Sequence, residues 1–285
     1  MPARRGARVL VVDDDAVIRQ FAKTILSRAG FTVTVSKDGV AALARLRREK
    51  FDVLLIDVWM PRLGGLTVLD RMTKGKARPK VIVMTSDTAP ETQLQAIRQQ
   101  TAEYISKPFD AATLVERVRD VLAREALPPI EVVSARSNWV ELLVPCQRAM
   151  ADRLESVMER LEADLPASMR ESIGYAFREL LMNAIEWGGK LDPKRKVRIA
   201  YVRAEKMLMY RIADPGPGFS MKNLTHAAIS HPDDPIEHMR IREEKGIRPG
   251  GFGLLMVRAK VDELIYNEKH NEVIFVKYLD ASRPA

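Results

Sequence analysis

The sequence predicts an α/β protein with two domains of different architecture. Its 285 residues are more than a single small domain needs. In the first 125 residues, short apolar runs alternate with segments of helical periodicity, whereas in the second half helices and strand pairs are grouped. Consecutive prolines at 128 and 129 stop a helix between the two patterns. We therefore expect domains at 1–125 and 130–285, joined by a linker at 126–129.

The first domain is predicted to be a doubly wound, five-stranded parallel sheet. Its apolar runs are too short for helices and too continuous for half-exposed strands, which indicates a sheet covered on both faces. Such sheets bind ligands at the carboxyl ends of their strands. The predicted strands lie at 9–12, 32–35, 53–56, 81–84 and 104–105, and the predicted helices at about 15–29, 38–49, 65–73, 90–100 and 110–125.

The second domain is predicted to be an α/β sandwich with a mixed, largely antiparallel sheet. Strand pairs open and close it, and two long amphipathic helices follow the first pair. The predicted strands lie at 130–133, 139–144, 197–202, 208–213, 263–267 and 272–278, and the predicted helices at about 146–163, 166–187 and 252–262. A polar, charged stretch at 220–249 separates the last helix from the strands before it.

The composition excludes several classes of protein. The longest apolar runs have the length of strands, so no membrane span is expected. The first residues lack the apolar core of an export signal. The single cysteine, Cys146, excludes an intramolecular disulfide framework and a cysteine metal cluster, and it indicates a reducing, cytoplasmic setting.

The net charge of +8 lies almost entirely in the first domain. Residues 1–127 carry 22 Lys and Arg against 15 Asp and Glu, with the excess around 45–50 and 71–80. These stretches have the pattern of helix ends and the loops after them, and no nucleic-acid recognition element accompanies them. We interpret the charge as a solvated surface and expect no direct binding to nucleic acid.

Three carboxylates are predicted to meet at the carboxyl edge of the parallel sheet. Asp13 and Asp14 follow the first strand, and Asp57 ends the third. Carboxylates that converge repel one another unless a hard cation lies between them, and Mg²⁺ suits a carboxylate pair completed by waters and a phosphate. Thr85 after the fourth strand and Lys107 after the fifth supply the hydroxyl and ammonium groups that phosphoryl oxygens need. Asp57 is thus predicted to be the nucleophile that forms an acyl phosphate.

Taken singly, each of these residues is more often a helix cap or a turn residue. Together they resemble the response-regulator receiver family over about residues 7–125. The resemblance implies that the three acids hold Mg²⁺ and that Asp57 is phosphorylated by an upstream histidine kinase or another phosphodonor. It also implies that Thr85 and Tyr104 shift together upon phosphorylation. The motifs are Val-Val-Asp13-Asp14-Asp, Asp57-Val-Trp-Met-Pro, Met-Thr85-Ser and Lys107-Pro-Phe.

Three further motifs follow in the second domain. The first is Glu179-Leu-Leu-Met-Asn183 on a predicted helix, where the spacing puts both side chains on one face. The other two are glycine-rich, so the backbone can approach a ligand and a helix start can offer free amides to phosphate. Each motif alone is weak evidence. Their sequences are Asp214-Pro-Gly216-Pro-Gly218 and Pro-Gly-Gly251-Phe-Gly253.

The order of these motifs resembles the ATPase superfamily of gyrase, heat-shock chaperones, mismatch-repair proteins and histidine kinases, over residues 130–280. The resemblance implies that Asn183 holds Mg²⁺ and that Asp214 accepts a hydrogen bond from the adenine amino group of ATP. It also makes the stretch at 220–249 a mobile lid over the nucleotide. The glycines that would line the phosphates and the lid are Gly216, Gly218, Gly251 and Gly253.

Within that superfamily, the histidines exclude an autophosphorylating histidine kinase, which needs a phosphoacceptor histidine upstream of its ATP site. Asn183-Ala-Ile-Glu-Trp187-Gly instead resembles the anti-sigma-factor serine kinases, and this implies that Glu179 is the general base for a serine hydroxyl of a partner protein. Trp187 stands where that family commonly has His, which alters any hydrogen bond that His makes. The four histidines, His226, His231, His238 and His270, all lie within or after the lid.

The sequence leaves several functions open. The first is a Ser/Thr protein kinase, gated by the receiver, that phosphorylates an anti-sigma antagonist or sequesters a sigma factor or similar partner. The second is a non-enzymatic, nucleotide-loaded binding module, and the third is an ATPase that docks a phosphotransfer partner. Glu179 favours the kinase, because a binding module needs no general base. Lys245 and Arg248 are candidates to stabilise charge or are solvated loop residues, and the oligomeric state, including a homodimer, stays open.

Overall fold

The computed structural model describes residues 6–72, 78–86, 92, 101, 103–123, 127–136, 138–219 and 252–280. The chain divides into two compact units, Met1–Ala126 and Leu127–Ala285. No helix within the described ranges is long and apolar enough to cross a bilayer.

The first unit contains a five-stranded parallel sheet with the strand order β2-β1-β3-β4-β5, so the predicted doubly wound fold is confirmed. The helix predicted at 90–100 falls, apart from Thr92, outside the described residues. The strands are β1 (Arg8–Val12), β2 (Thr32–Ser36), β3 (Val53–Asp57), β4 (Lys80–Thr85) and β5 (Glu103–Ser106). The described helices are α1 (Ala16–Arg28), α2 (Gly39–Arg48), α3 (Gly65–Arg71) and α4 (Ala111–Ala123).

The central strands of this sheet are buried on both faces, as their continuous apolar runs predict. Side chains that alternate along β1 and β3 enter two separate apolar clusters, one containing Leu10 and Leu54 and the other Val9 and Leu55. The strand order reverses between β1 and β3. In open parallel sheets, the carboxyl ends at such a reversal form the ligand crevice.

The second unit contains a six-stranded sheet with the order β10-β11-β9-β8-β7-β6. The prediction of a largely antiparallel sheet is confirmed, and all five described strand pairings are antiparallel. The strands are β6 (Glu131–Arg136), β7 (Trp139–Pro145), β8 (Lys196–Arg203), β9 (Met207–Ala213), β10 (Glu263–Tyr266) and β11 (Glu272–Tyr278). The described helices are α5 (Arg148–Leu161), α6 (Ala167–Asn183) and α7 (Gly253–Lys260).

The helix predicted to run to residue 187 changes its geometry before it ends. Its α-helical part stops at Asn183 and continues as a π turn over Ala184–Gly188. A π turn closes hydrogen bonds over five residues and is wider than an α-helical turn. The backbone N–H of Gly189, for example, donates to the carbonyl of Ala184 at 2.8 Å.

One face of this sheet packs on the helices through an aromatic cluster. The Phe177 ring on α6 lies 4.9 Å from that of Tyr210, which in turn contacts Tyr201 and Phe275. Beside this cluster, the hydroxyl of Tyr210 donates to Oε1 of the buried Glu162 at 2.6 Å. Burial raises the pKa of Glu162 to about 7, although Tyr210 and nearby arginines act in the opposite direction.

Candidate functional site

The three acids expected to converge lie together at the carboxyl edge of the parallel sheet. Asp13, Asp14 and Asp57 each offer a carboxylate oxygen within 4.8 Å of the others. Asp13 and Asp57 are buried, whereas Asp14 is exposed. Arg19 on α1 donates from Nη1 to the backbone carbonyls of Asp13 and Asp14, both at 2.8 Å, and so holds the turn after β1 in place.

Lys107 joins two of these acids. Its Nζ donates to Oδ2 of Asp13 at 2.7 Å and to Oδ2 of Asp57 at 2.6 Å. Burial raises the pKa of Asp57, although Lys107 acts in the opposite direction. Burial alone would lower the pKa of Lys107, but its hydrogen bonds to the two carboxylates outweigh burial and raise it. A single ammonium group therefore holds two buried carboxylates close together.

Thr85 and Tyr104 lie on neighbouring strands of the same sheet. Thr85 ends β4 with a buried side chain, and its backbone carbonyl accepts from the N–H of Lys107 at 2.9 Å. Tyr104 on β5 pairs with Val83, two positions before the pair of Thr85 and Ser106. Its side chain is buried in the apolar cluster below the edge. The structure therefore places Thr85 at the acidic edge and Tyr104 just beneath it.

The acidic edge fits a hard divalent cation. Three carboxylates, two of them buried, are close enough to share one ion, and oxygen ligands of this kind are those that Mg²⁺ prefers. Asp14 is exposed, so this side of the cluster is accessible to water and to a phosphoryl group. Asp13, Asp14 and Asp57 are thus the residues that would hold Mg²⁺.

Sequence reasoning missed Gly65, which fixes the backbone behind Asp57. A β-carbon at residue 65 would stand 2.0 Å from the carbonyl oxygen of Asp57, so only glycine fits there. Its backbone N–H donates to the carbonyl of Val58 at 2.9 Å. The adjacent pair Gly64-Gly65, shortly after the strand that ends in an acid, was the available signal.

In the second unit, Glu179 and Asn183 lie one turn apart on α6, and both are partly buried. The carboxylate of Glu179 packs directly against the first residue of α7, since a β-carbon at Gly253 would stand 1.8 Å from Oε1. The glycine-rich helix start and the Glu-x-x-x-Asn helix therefore meet. The candidates Gly251, Lys245 and Arg248, together with the predicted lid, lie outside the described residues.

Asp214 follows β9 and lies in a tight backbone cradle. Its Oδ1 accepts from the N–H of Gly216 at 2.6 Å, and its own N–H donates to the carbonyl of Asn271 at 2.8 Å. A β-carbon at Gly188, the last residue of the π turn, would stand 2.1 Å from the Asp214 carboxylate. Burial raises the pKa of Asp214. Gly188 was also missed, although the pair Gly188-Gly189 shortly after Asn183 signalled it.

The glycine turn after Asp214 is fixed to the hairpin before β11. Gly218 has a φ of 85°, and a β-carbon there would stand 1.7 Å from the carbonyl oxygen of Lys269, so glycine is required on both grounds. Asn271 donates from Nδ2 to the carbonyl of Gly216 at 3.2 Å. Trp187, the departure from the expected His, lies on the π turn with 68% of its surface exposed.

The described residues thus form two groups joined by the π turn. Glu179, Asn183 and Gly253 lie together at one end, and Asp214 lies against Gly188 and Gly216 at the other. An acid held among glycines leaves room for a flat, hydrogen-bonding group. A carboxylate and an amide beside a helix start are suited to a phosphate and its cation.

Comparison with known proteins identifies both parts of the chain. Residues 9–119 match the response regulator receiver domain, and residues 146–277 match the histidine kinase-like ATPase domain. The DNA-binding response regulator MtrA of Mycobacterium tuberculosis is 30% identical over 182 residues, which cover 64% of this chain and 78% of that protein. The response regulator MprA of Mycobacterium ulcerans is 33% identical over 130 residues, covering 46% and 56% of the two chains.

Among solved structures, the chemotaxis protein CheY4 of Vibrio cholerae is 33% identical, covering 41% of this chain and 99% of that chain with a TM-score of 0.39. The chain belongs to the response-regulator family and carries a histidine kinase-like ATPase domain as its second part. Both resemblances seen in the sequence are confirmed at this level, and the combination makes the chain a two-component signalling protein.

Proposed function

We propose that Asp57 accepts a phosphoryl group and that its phosphorylation regulates an ATP-binding domain that phosphorylates a partner protein on Ser or Thr. The partner is an anti-sigma antagonist or a similar regulator, and the same domain can sequester a sigma factor. The observation that carries this proposal is the position of Glu179, one turn from Asn183 and directly against the start of α7. A carboxylate at that position has the reach of a general base beside a γ-phosphate.

At the receiver, an Asp57 carboxylate oxygen would bond to the phosphorus of the donor as the donor's bond to that phosphorus breaks. Lys107 already holds Asp57 by a hydrogen bond of 2.6 Å and would then contact the phosphoryl oxygens. The hydroxyl of Thr85 is placed at the same edge. Mg²⁺, when bound by the three acids, supplies positive charge that neutralises the phosphoryl oxygens. The donor is an upstream histidine kinase or a small phosphodonor.

At the second site, Asp214 would accept from the adenine amino group while Asn183 holds the cation of Mg²⁺-ATP. Glu179 would take the proton of the acceptor hydroxyl as its oxygen bonds to the γ-phosphorus and ADP leaves. The proposed phosphate-lining glycines are Gly216, Gly218, Gly251 and Gly253. Since positioning supplies most of the rate in phosphoryl transfer, the packing of Glu179 against α7 matters as much as its basicity.

The test is phosphoryl transfer by the full chain from labelled ATP to proteins that it captures, with and without a small phosphodonor. We expect Glu179→Gln to leave ATP binding nearly intact and to lower transfer by about a hundredfold or more. Glu171→Gln, at an exposed position two turns earlier on the same helix, is the matched control. Asp57→Ala should change how transfer responds to the phosphodonor.

The alternative is a nucleotide-loaded binding module without transferase activity. The exposed Trp187, standing where the kinase branch commonly has His, is the observation that favours it. Full transfer by Glu179→Gln, or wild-type capture of a partner that never becomes labelled, would reject the kinase and leave the binding module. An acid-labile phosphate on an aspartate other than Asp57 would reject the receiver assignment.

A further inference from the structure

The six-stranded sheet of the second unit has two unlike faces. Every second residue of β9 and β11, such as Tyr210 and Phe275, is fully buried against the helix layer. The residues between them point the other way and are less deeply buried. We call this second surface the outer face. It carries large apolar groups, among them Trp139 with 43% and Ile265 with 52% of its surface exposed.

One row of residues crosses the outer face on all six strands. The strand registers place its members directly opposite one another, so their side chains are neighbours. The four central members are apolar, and the two ends carry opposite charges. In order from β6 to β10, the row consists of Arg136, Trp139, Val202, Met209, Val276 and Glu263.

The charges beside this row neutralise one another within the chain. Arg198 pairs with Glu141 at 2.7 Å, and Arg211 pairs with Glu272 at 2.6 Å. They therefore present little net charge to an approaching surface. Beyond them, β10 adds the exposed Ile265, which pairs in register with Ile274. An apolar strip bounded by satisfied ion pairs is typical of a protein interface.

The order of the row makes it complementary to itself. A two-fold axis parallel to the strands, between β8 and β9, reverses the strand order of a second copy stacked on the outer face. Arg136 then faces Glu263 of the partner subunit, and Trp139 faces Val276 of the partner subunit. Val202 faces Met209 of the partner subunit at the centre. Face-to-face packing of two sheets at a small angle is a common arrangement, and a two-fold interface must be complementary to itself in this way.

We propose that the outer face binds the outer face of a second copy of this chain, so that the protein forms a two-fold dimer through its C-terminal unit. Six strands about 4.8 Å apart and three rows of side chains give about 500 Å² per copy, or about 1,000 Å² in all. That area is at the lower limit for a specific interface. The dimer is therefore expected to dissociate in the micromolar range.

The test is sedimentation equilibrium of the full chain between about 1 and 200 µM. The wild type should dimerise, and Arg136→Glu or Glu263→Arg alone should raise the dissociation constant about tenfold. The double variant should restore dimerisation, because each copy then carries the swapped pair on both sides. Met209→Glu at the centre should abolish dimerisation.

Two controls accompany these variants. Glu171→Arg changes an exposed charge on the helix layer and should leave the dissociation constant unchanged. Glu263 also accepts a hydrogen bond from the Tyr278 hydroxyl, so the thermal unfolding midpoint of each variant is measured to confirm that it folds. A wild type that stays monomeric throughout the range, or a charge swap that fails to restore dimerisation in a folded variant, overturns the proposal.

Discussion

The carboxylate of Glu179 lies against the α-carbon of Gly253, with no room for a side chain between them. A β-carbon at residue 253 would stand 1.8 Å from Oε1, 2.3 Å from Cδ and 2.9 Å from Cγ of Glu179. The backbone at residue 253 lies outside the left-handed region, so the close approach alone requires glycine. The start of α7 and the proposed general base therefore cannot move independently.

We expect Gly253→Ala to destabilise the protein by about 1–3 kcal/mol, because its methyl group overpacks against the Glu179 carboxylate. In a Glu179→Ala background, which removes the clashing atoms, the same change should be nearly neutral. Urea unfolding of the four proteins gives the coupling energy, which should be about 1–2 kcal/mol. Additive effects of the two substitutions would show that the contact does not exist in solution.

Gly188→Ala should weaken ATP binding by about tenfold or more, because its β-carbon would displace the Asp214 carboxylate that is proposed to hold adenine. The matched control is Gly174→Ala on α6, where a β-carbon meets nothing within 4 Å. This control should leave affinity unchanged and stabilise the helix by up to about 1 kcal/mol. Isothermal titration with Mg²⁺-ATP measures both. Equal affinity of the Gly188→Ala variant and the wild type would remove Asp214 from the nucleotide site.

Lys107→Met should increase the affinity of the acidic edge for Mg²⁺ by about tenfold, because an ammonium group hydrogen-bonded to Asp13 and Asp57 competes with a cation for the same carboxylates. Without metal, the variant should unfold at a lower temperature than the wild type, since two buried carboxylates lose their hydrogen-bonded cation. Thermal unfolding across a Mg²⁺ titration reports both effects. A weaker response to Mg²⁺ in the variant would mean that the ion binds elsewhere.

Stability of the second unit should fall as the pH rises through the range in which Glu162 ionises. The pKa of Glu162 is about 7 in the folded protein and 4.5 in the ordinary case, so between these values the folded state binds more protons than the unfolded state. Stability from this group is therefore greatest below about pH 4.5 and lost by about pH 7, a change on the order of 3 kcal/mol.

Glu162→Gln should remove this dependence, since an amide oxygen can still accept from the Tyr210 hydroxyl without ionising. We expect the variant to be more stable than the wild type at pH 8. Urea unfolding at pH 5.5, 7 and 8, followed by tryptophan fluorescence in a Trp59→Phe background, isolates the second unit. Glu171→Gln is the exposed control. Parallel pH profiles of wild type and Glu162→Gln would contradict the assignment.

Much of the fold was predictable because buried parallel strands and antiparallel strands have different patterns. The run that ends at Asp57 is apolar without interruption, which only a strand covered on both faces requires. The π turn could not be predicted, because Ile185 continues the apolar periodicity of α6 and no residue marks the wider turn. The predicted helix therefore ran too far with a single geometry.

The candidate sites were predictable where chemistry marks a residue and hidden where space does. Asp57 and Asp214 are acids after strands, which the sequence displays directly. Gly188 and Gly65 act through the side chain that they lack, so their role appears only when the neighbouring carboxylate or carbonyl is located. Glu162 follows an amphipathic helix and has the pattern of a solvated helix end, yet the fold buries it beside Tyr210.

The π turn makes the proposed nucleotide site depend on chain length as well as on chemistry. A π turn holds one residue more than the α-helical turn that it replaces, and that residue lies between Asn183 and Gly188. Deleting any single residue there would let an ordinary helix form, and Gly188 would rotate by about 100° away from Asp214. The spacing of these five residues is therefore a fixed measure between the cation end of the site and its adenine end, and a lineage that lost one residue would lose the site while keeping the helix.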